Sequence, residues 1–95
     1  MRNIAQYKTF ESTSIDLPDG WLEIDNLISR EFKFKDFLTA MGFLNGAGEI
    51  ANRMNHHPRM TIDYNKVLVE TYTHDKGKVT RKDLELADRI NLLYN

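Results

Sequence analysis

Apolar and polar residues exchange places along this chain with two different periods. Ile28, Arg30, Phe32 and Phe34 alternate with Ser29, Glu31 and Lys33. A period of two predicts a strand with one buried face. Trp21, Leu22, Glu23 and Ile24 predict a shorter strand before it, with Asp25-Asn26 turning the pair into a hairpin. From Asp36 the period lengthens. Phe37, Met41, Leu44, Gly48 and Ala51 recur at steps of three and four, with Phe34 and Leu38 close by, which is the stripe of an amphipathic helix. This helix carries Gly42, Gly46 and Gly48, each costing up to about 1 kcal/mol relative to Ala. Close packing of the helix on a sheet is the expected compensation. The helix should end before Asn55-His56-His57-Pro58, because Pro58 biases His57 away from helical geometry.

Alternation then returns. Met60, Ile62 and Tyr64 predict a third strand, Asn65-Lys66 a turn, and the β-branched and aromatic run from Val67 to His74 a fourth strand. Asp75-Lys76-Gly77-Lys78 is a turn signal. Thr80, with Asp83 three residues on, predicts the start of a second helix with Leu86, Ala87, Ile90, Leu93 and Tyr94 on its apolar face. The order β-β-α-β-β-α predicts an α+β two-layer sandwich: a four-stranded antiparallel sheet with both helices on one face. The other face, or an edge strand, is then available to another subunit. Residues 1 to about 20 read as a polar lead-in and residues 21–94 as the core, so that residues 1–95 form one domain.

Composition narrows the function classes. A chain of 95 residues suits a single domain with a modest core, and small domains often oligomerise. A net charge of −1 argues against direct nucleic-acid binding, which needs a basic face. With no cysteine there is no disulfide, thiolate zinc site or cysteine nucleophile, which fits a reducing compartment. The start of the chain lacks the apolar run of a signal peptide, and no run approaches the roughly 20 residues of a membrane span. A soluble, cytoplasmic protein is expected.

The chemistry falls on three histidines. His56 and His57 sit beside Pro58 at a helix-to-strand junction, and His74 closes a strand before a turn. Element ends hold side chains firmly yet leave them open to a ligand. An unperturbed imidazole, with a pKa of about 6.5, gives or accepts a proton at neutral pH. Capping of backbone groups is the plainer role for such residues. A zinc site is disfavoured, because adjacent histidines in an extended segment point in opposite directions and no His-x-x-x-His spacing occurs. The glycines of the first helix are not a phosphate loop, because no Lys-Ser/Thr follows them. Phe32, Phe34, Phe37 and Phe43 are expected in the core. Lys66, Lys76, Lys78, Arg81 and Lys82 read as a solvated face.

The stretch Asn55-His56-His57-Pro58, then Tyr64-Asn65-Lys66-Val67, then Thr73-His74-Asp75 resembles the pterin-4a-carbinolamine dehydratases. Gly20-Trp21 and Ile28-x-Arg30-x-Phe32-x-Phe34-x-x-Phe37 extend the likeness upstream, so that it covers roughly residues 20 to 94. His56, His57, Pro58, Tyr64, His74 and Asp83 match the family pattern in type and spacing. Three positions depart from it. Asn52 stands in place of a charged residue or histidine, Asn55 in place of a common aspartate, and Met60 in place of a typical tryptophan.

The resemblance implies a β-β-α-β-β-α sandwich that assembles as a homodimer or homotetramer. It implies dehydration of a 4a-hydroxy-tetrahydropterin to a quinonoid dihydropterin, with no cofactor and no metal. His56, His57 and His74 would be the catalytic residues. Asn55, Tyr72, Thr73 and Asp75 would line the reduced pterin, with Asn52, Pro58, Met60 and Asp83 in support. Animal relatives also serve as dimerisation cofactor for a homeodomain transcription factor, which implies a protein partner. A non-catalytic pterin-binding or protein-interaction module on the same fold is the alternative.

Overall fold

The computed structural model describes residues 16–95. Strands β1 (Leu22–Ile24) and β2 (Leu27–Lys33) lead into helix α1 (Phe37–Met54), followed by β3 (Arg59–Asp63), β4 (Lys66–Thr71) and α2 (Arg81–Tyr94). The four strands form one antiparallel sheet in the order β1-β2-β4-β3. This is the element order and the α+β class that the residue periods predict.

The core lies between one face of the sheet and the two helices. Ile28 and Phe32 of β2 and Val67, Val69 and Thr71 of β4 point into it, and each is almost fully buried. Alternation sends Glu31, Leu68, Glu70 and Tyr72 to the opposite, open face. Phe32 is the hub of an aromatic cluster, with ring centroids 4.7 Å from Phe43, 5.0 Å from Tyr94 and 6.1 Å from Trp21. Edge-to-face and tilted pairs of this kind add about 0.5–1.5 kcal/mol each to their area burial.

The predicted face of α1 is displaced. Ala40, Phe43, Ala47 and Ala51 are buried, whereas Phe37 is 44% exposed at the first turn and so is not core. Alanine carries little hydrophobic weight in a sequence, so the small residues that let α1 approach its neighbours leave a faint stripe. The glycines divide: Gly48 faces Met60 of β3, as expected, whereas Gly42 and Gly46 do not face the sheet. A Cβ at Gly46 would lie 2.8 Å from Cδ2 of Leu93, so the close approach is to α2 rather than to the sheet. At the helix start, the Asp36 carboxylate accepts from the Thr39 N–H at 2.9 Å. Hydrogen bonds from the Thr39 side chain and then its backbone hold the Asp36 carboxyl below its ordinary pKa. This stabilisation is therefore present above the unfolded carboxyl pKa and fades as pH falls through the folded one.

Of the lead-in, residues 1–15 lie outside the described residues. The end of the lead-in is tied to the core. Pro18 is buried, and the carbonyl of Asp19 accepts from Arg30 Nη1 at 2.9 Å and from Asn91 Nδ2 at 3.0 Å. Trp21 Nε1 and Arg30 Nη1 both donate to Asn91 Oδ1, at 2.9 and 2.7 Å. Gly20 has φ +83°, and a Cβ there would lie 2.6 Å from Arg30 Nε, so both backbone and space demand glycine. Near the other sheet edge, β3 ends at Asp63 rather than Tyr64. Tyr64 takes φ +53° in the turn, one residue earlier than predicted.

Gly42 faces solvent in the middle of α1, and nothing lies within 4 Å of the point where a Cβ would stand. Gly42→Ala is expected to raise stability by about 0.5–1 kcal/mol, several degrees in melting temperature. Gly46→Ala should gain less, because Leu93 must move. Thermal melts of the two variants followed by circular dichroism check the order.

Candidate active site

The junction after α1 places the paired histidines. Asn55 caps the helix in the left-handed conformation, φ 53°, which asparagine tolerates better than most residues. The chain leaves in extended form, so His56 and His57 point to opposite sides. His56 turns under the sheet and is buried, with Nε2 2.6 Å from Asp83 Oδ1. His57 turns to the open face and is exposed.

Asp83 is completely buried at the start of α2. Besides His56, its carboxylate accepts from Thr71 Oγ1 at 2.6 Å, Thr73 Oγ1 at 2.8 Å and the Thr80 N–H at 2.9 Å. Burying a carboxylate costs several kcal/mol unless its lone pairs are filled. Here four donors from three segments fill them. A carboxylate accepts, so His56 Nε2 carries the proton, and Nδ1 is the acceptor in the neutral ring. Asp83 therefore caps α2, as its position after Thr80 predicts, and orients His56 as well.

On the open face, a pocket of about 450 Å³ is lined by Leu27, His57, Pro58, Arg59, Glu70, Tyr72 and His74. The strand register explains the grouping. Arg59 pairs with Glu70, and Glu70 with Ser29. One step further along the same face come His57, Tyr72 and Leu27. The Tyr72 and His74 rings stack with centroids 4.5 Å apart and planes at 24°. His57 Nε2 lies 3.3 Å from Asn52 Oδ1, so the residue departing from the family pattern gives this histidine a neutral partner.

Each pocket histidine follows a residue bound to Asp83: His57 follows His56, and His74 follows Thr73. The carboxylate fixes the inward residue of each pair, and alternation delivers its neighbour to the pocket. The structure thus brings His57, Pro58, Tyr72 and His74 together, with His56 and Asp83 on the reverse side. Thr73 is buried, and its backbone N–H and carbonyl are engaged in the following turn with Lys78, Lys76 and Gly77. Asp75 lies in that exposed turn. Met60 faces the helices, with Cε 3.9 Å from a Cβ position on Gly48. Leu27, Arg59 and Glu70 escaped the sequence reading; their signal is the strand register, which a single sequence does not display. Among the described residues, no three His, Cys, Asp or Glu side chains converge as metal ligands would.

The model of the family described as pterin 4 alpha carbinolamine dehydratase matches residues 6–93. The chain belongs to this family. A Picosynechococcus protein provisionally named a pterin-4-alpha-carbinolamine dehydratase is 47% identical over 73 residues, 77% of this chain and 79% of that protein. A Sulfurisphaera tokodaii protein with the same provisional name is 49% identical over 74 residues, 78% of this chain and 80% of its own. Among solved structures, a transcriptional coactivator/pterin dehydratase from Brucella melitensis superposes with a TM-score of 0.78 at 40% identity, covering 81% of this chain and 84% of that one. A pterin dehydratase-like protein described as a RuBisCO assembly factor in the alpha-carboxysome shares the fold, with a TM-score of 0.69 at 14% identity over 80% of this chain and 90% of its own.

The Asp83 network yields a stability prediction. Asp83→Ala leaves four donors without their acceptor and should cost roughly 3–5 kcal/mol, whereas Asp75→Ala in the exposed turn should stay within about 0.5 kcal/mol. Urea denaturation of both variants measures the contrast.

Proposed function

We propose that this protein dehydrates a 4a-hydroxy-tetrahydropterin, with His57 and His74 as the proton-transfer pair. The observation that carries the reading is the placement of both exposed imidazoles on one open pocket beside the Tyr72 ring. The acid protonates the C4a hydroxyl, the C4a–O bond breaks and water departs. The base takes the N5 proton, and the electron pair of that N–H bond forms the C4a=N5 double bond of the quinonoid product. One proton leaves the pair and one returns, so exchange between the imidazoles or with solvent restores them. Each transfer contributes typically about 10²–10⁴-fold. No electrons enter or leave, so the reaction calls for no redox cofactor.

His56 is assigned a positioning role. Its Nε2 is committed to Asp83, and it fixes the backbone from which His57 projects. Tyr72 offers a flat surface to the pterin ring, and Pro58 stiffens the approach. The biological setting we propose is pterin recycling in the cytoplasm. No described helix is long and apolar enough to cross a membrane, and the lack of cysteine fits a reducing compartment.

A second reading, a binding module for a protein partner or for a second copy of the chain, draws on the sheet edge. Leu22 and Ile24 of β1 are 64% and 50% exposed beside the open face. The same apolar edge suits a homo-oligomer, which is compatible with catalysis.

Freshly generated 4a-hydroxy-tetrahydropterin loses water spontaneously, so the measurement is acceleration of its ultraviolet absorbance change over background. The folded protein should accelerate it, and His57→Ala and His74→Ala should each lower turnover by about 10²-fold or more. A folded wild-type protein without acceleration overturns the enzyme reading in favour of the binding module.

A further inference from the structure

Glu70 is the one carboxylate among the residues lining the pocket, and the proton-transfer chemistry does not use it. It lies on the central strand β4, flanked by Ser29 on β2 and Arg59 on β3. Its side chain is 25% exposed, and Oε1 lies 3.8 Å from Nε of Arg59, whose own side chain is 81% exposed. An ion pair that long, with one partner in solvent, contributes little to stability. The pair is therefore poorly explained as a structural device.

Position gives it another use. Glu70 is two residues from Tyr72 on the same face, a separation of about 6.8 Å along a strand. That distance is comparable to the span of two fused six-membered rings. With the C4a–N5 edge at His57 and His74 and the ring plane beside Tyr72, as the proposed function has it, the far edge of a pterin would reach toward the Arg59–Glu70 row. That edge presents the 2-amino group and the N3–H, two donors side by side, and the 4-oxo acceptor follows N3 on the side toward N5. A carboxylate accepts two parallel N–H bonds, and a guanidinium donates to a carbonyl oxygen.

We infer that Glu70 is the specificity-determining residue of the pocket: its carboxylate accepts from the N3–H and the 2-amino group of the pterin. Arg59 steadies that carboxylate and supplies a donor to the 4-oxo group. This assignment rests on the pterin reading of the same pocket. It predicts discrimination against a lumazine, in which an oxygen replaces the 2-amino group. The carboxylate would then meet an acceptor in place of a donor, and repulsion would replace a charge-assisted bond.

The test is titration calorimetry with a 7,8-dihydropterin and the matching 7,8-dihydrolumazine, on the wild-type protein and on Glu70→Gln. Glu70→Gln keeps the size of the side chain on an open face, and circular dichroism checks its fold. The wild-type protein should prefer the pterin, and Glu70→Gln should weaken pterin binding by about 10- to 100-fold, the range for a hydrogen bond to a charged group. Lumazine binding should be unchanged or tighter in the variant. In the dehydration assay, the loss should fall on KM and leave kcat largely intact, because Glu70 touches no reacting atom. Equal pterin affinity in wild type and Glu70→Gln, or an equal loss for both ligands, overturns the assignment while leaving the pterin reading standing. A wild-type protein that binds neither ligand overturns both.

Discussion

The buried carboxylate of Asp83 is the constraint on which the rest of this structure depends. Four donors converge on it: a histidine from the segment before β3, two threonines from β4 and its continuation, and the backbone N–H at the start of α2. Histidine and threonines stand opposite one another on the extension of the β3–β4 pairing, whereas α2 reaches them only after the turn that follows β4. Hydrophobic burial alone brings sheet and helices together without fixing their register. A fully desolvated carboxylate does fix it, because every donor must arrive in place or leave a charge in need of a partner. The open-face site is a consequence. Of the three side chains bound from the sheet side, His56 and Thr73 each have a histidine as their next neighbour, and alternation of the extended chain turns both neighbours outward.

The two adjacent histidines consequently live in different electrostatic settings. His56 is buried against a charged acceptor at 2.6 Å, whereas His57 is exposed, with a neutral amide at 3.3 Å. Moving a proton on or off His56 would unbalance a network that holds three segments. Moving one on or off His57 disturbs an amide contact at the surface. The proposed proton transfer is therefore assigned to His57 rather than His56, and the Asn52 amide oxygen beside His57 adds no charge to the pocket.

Much of this architecture was legible in the residue order. Strict alternation in β2, the Pro58 break, the Gly77 turn and the Thr80–Asp83 spacing each reflect a local rule that the fold obeys. The divergence of His56 and His57 follows from extended backbone alone. Other features have no local signature. The buried face of α1 rests on Ala40, Ala47 and Ala51, whose small size matters only against a neighbour. Gly46 is explained by Leu93, and Gly20 by Arg30, both distant in sequence. Asn91 has no sequence neighbour that announces its role, yet it joins Trp21, Arg30 and the backbone of Asp19.

The same division applies to the site. Histidines stand out in a sequence because few residue types exchange protons near neutral pH. Glu70 and Arg59 do not stand out, since charged residues alternating with apolar ones are what any half-exposed strand presents. Only the pairing of β3 with β4, and of β4 with β2, places them in the row beside His57 and Tyr72. Met60 shows the converse. It stands two residues after Pro58, close in sequence to the pocket, but the alternation that turns Arg59 outward turns Met60 toward Gly48 and the helices. Met60 thus packs β3 against α1 on the face away from the pocket, and nearness in sequence to Pro58 does not make it a pocket residue.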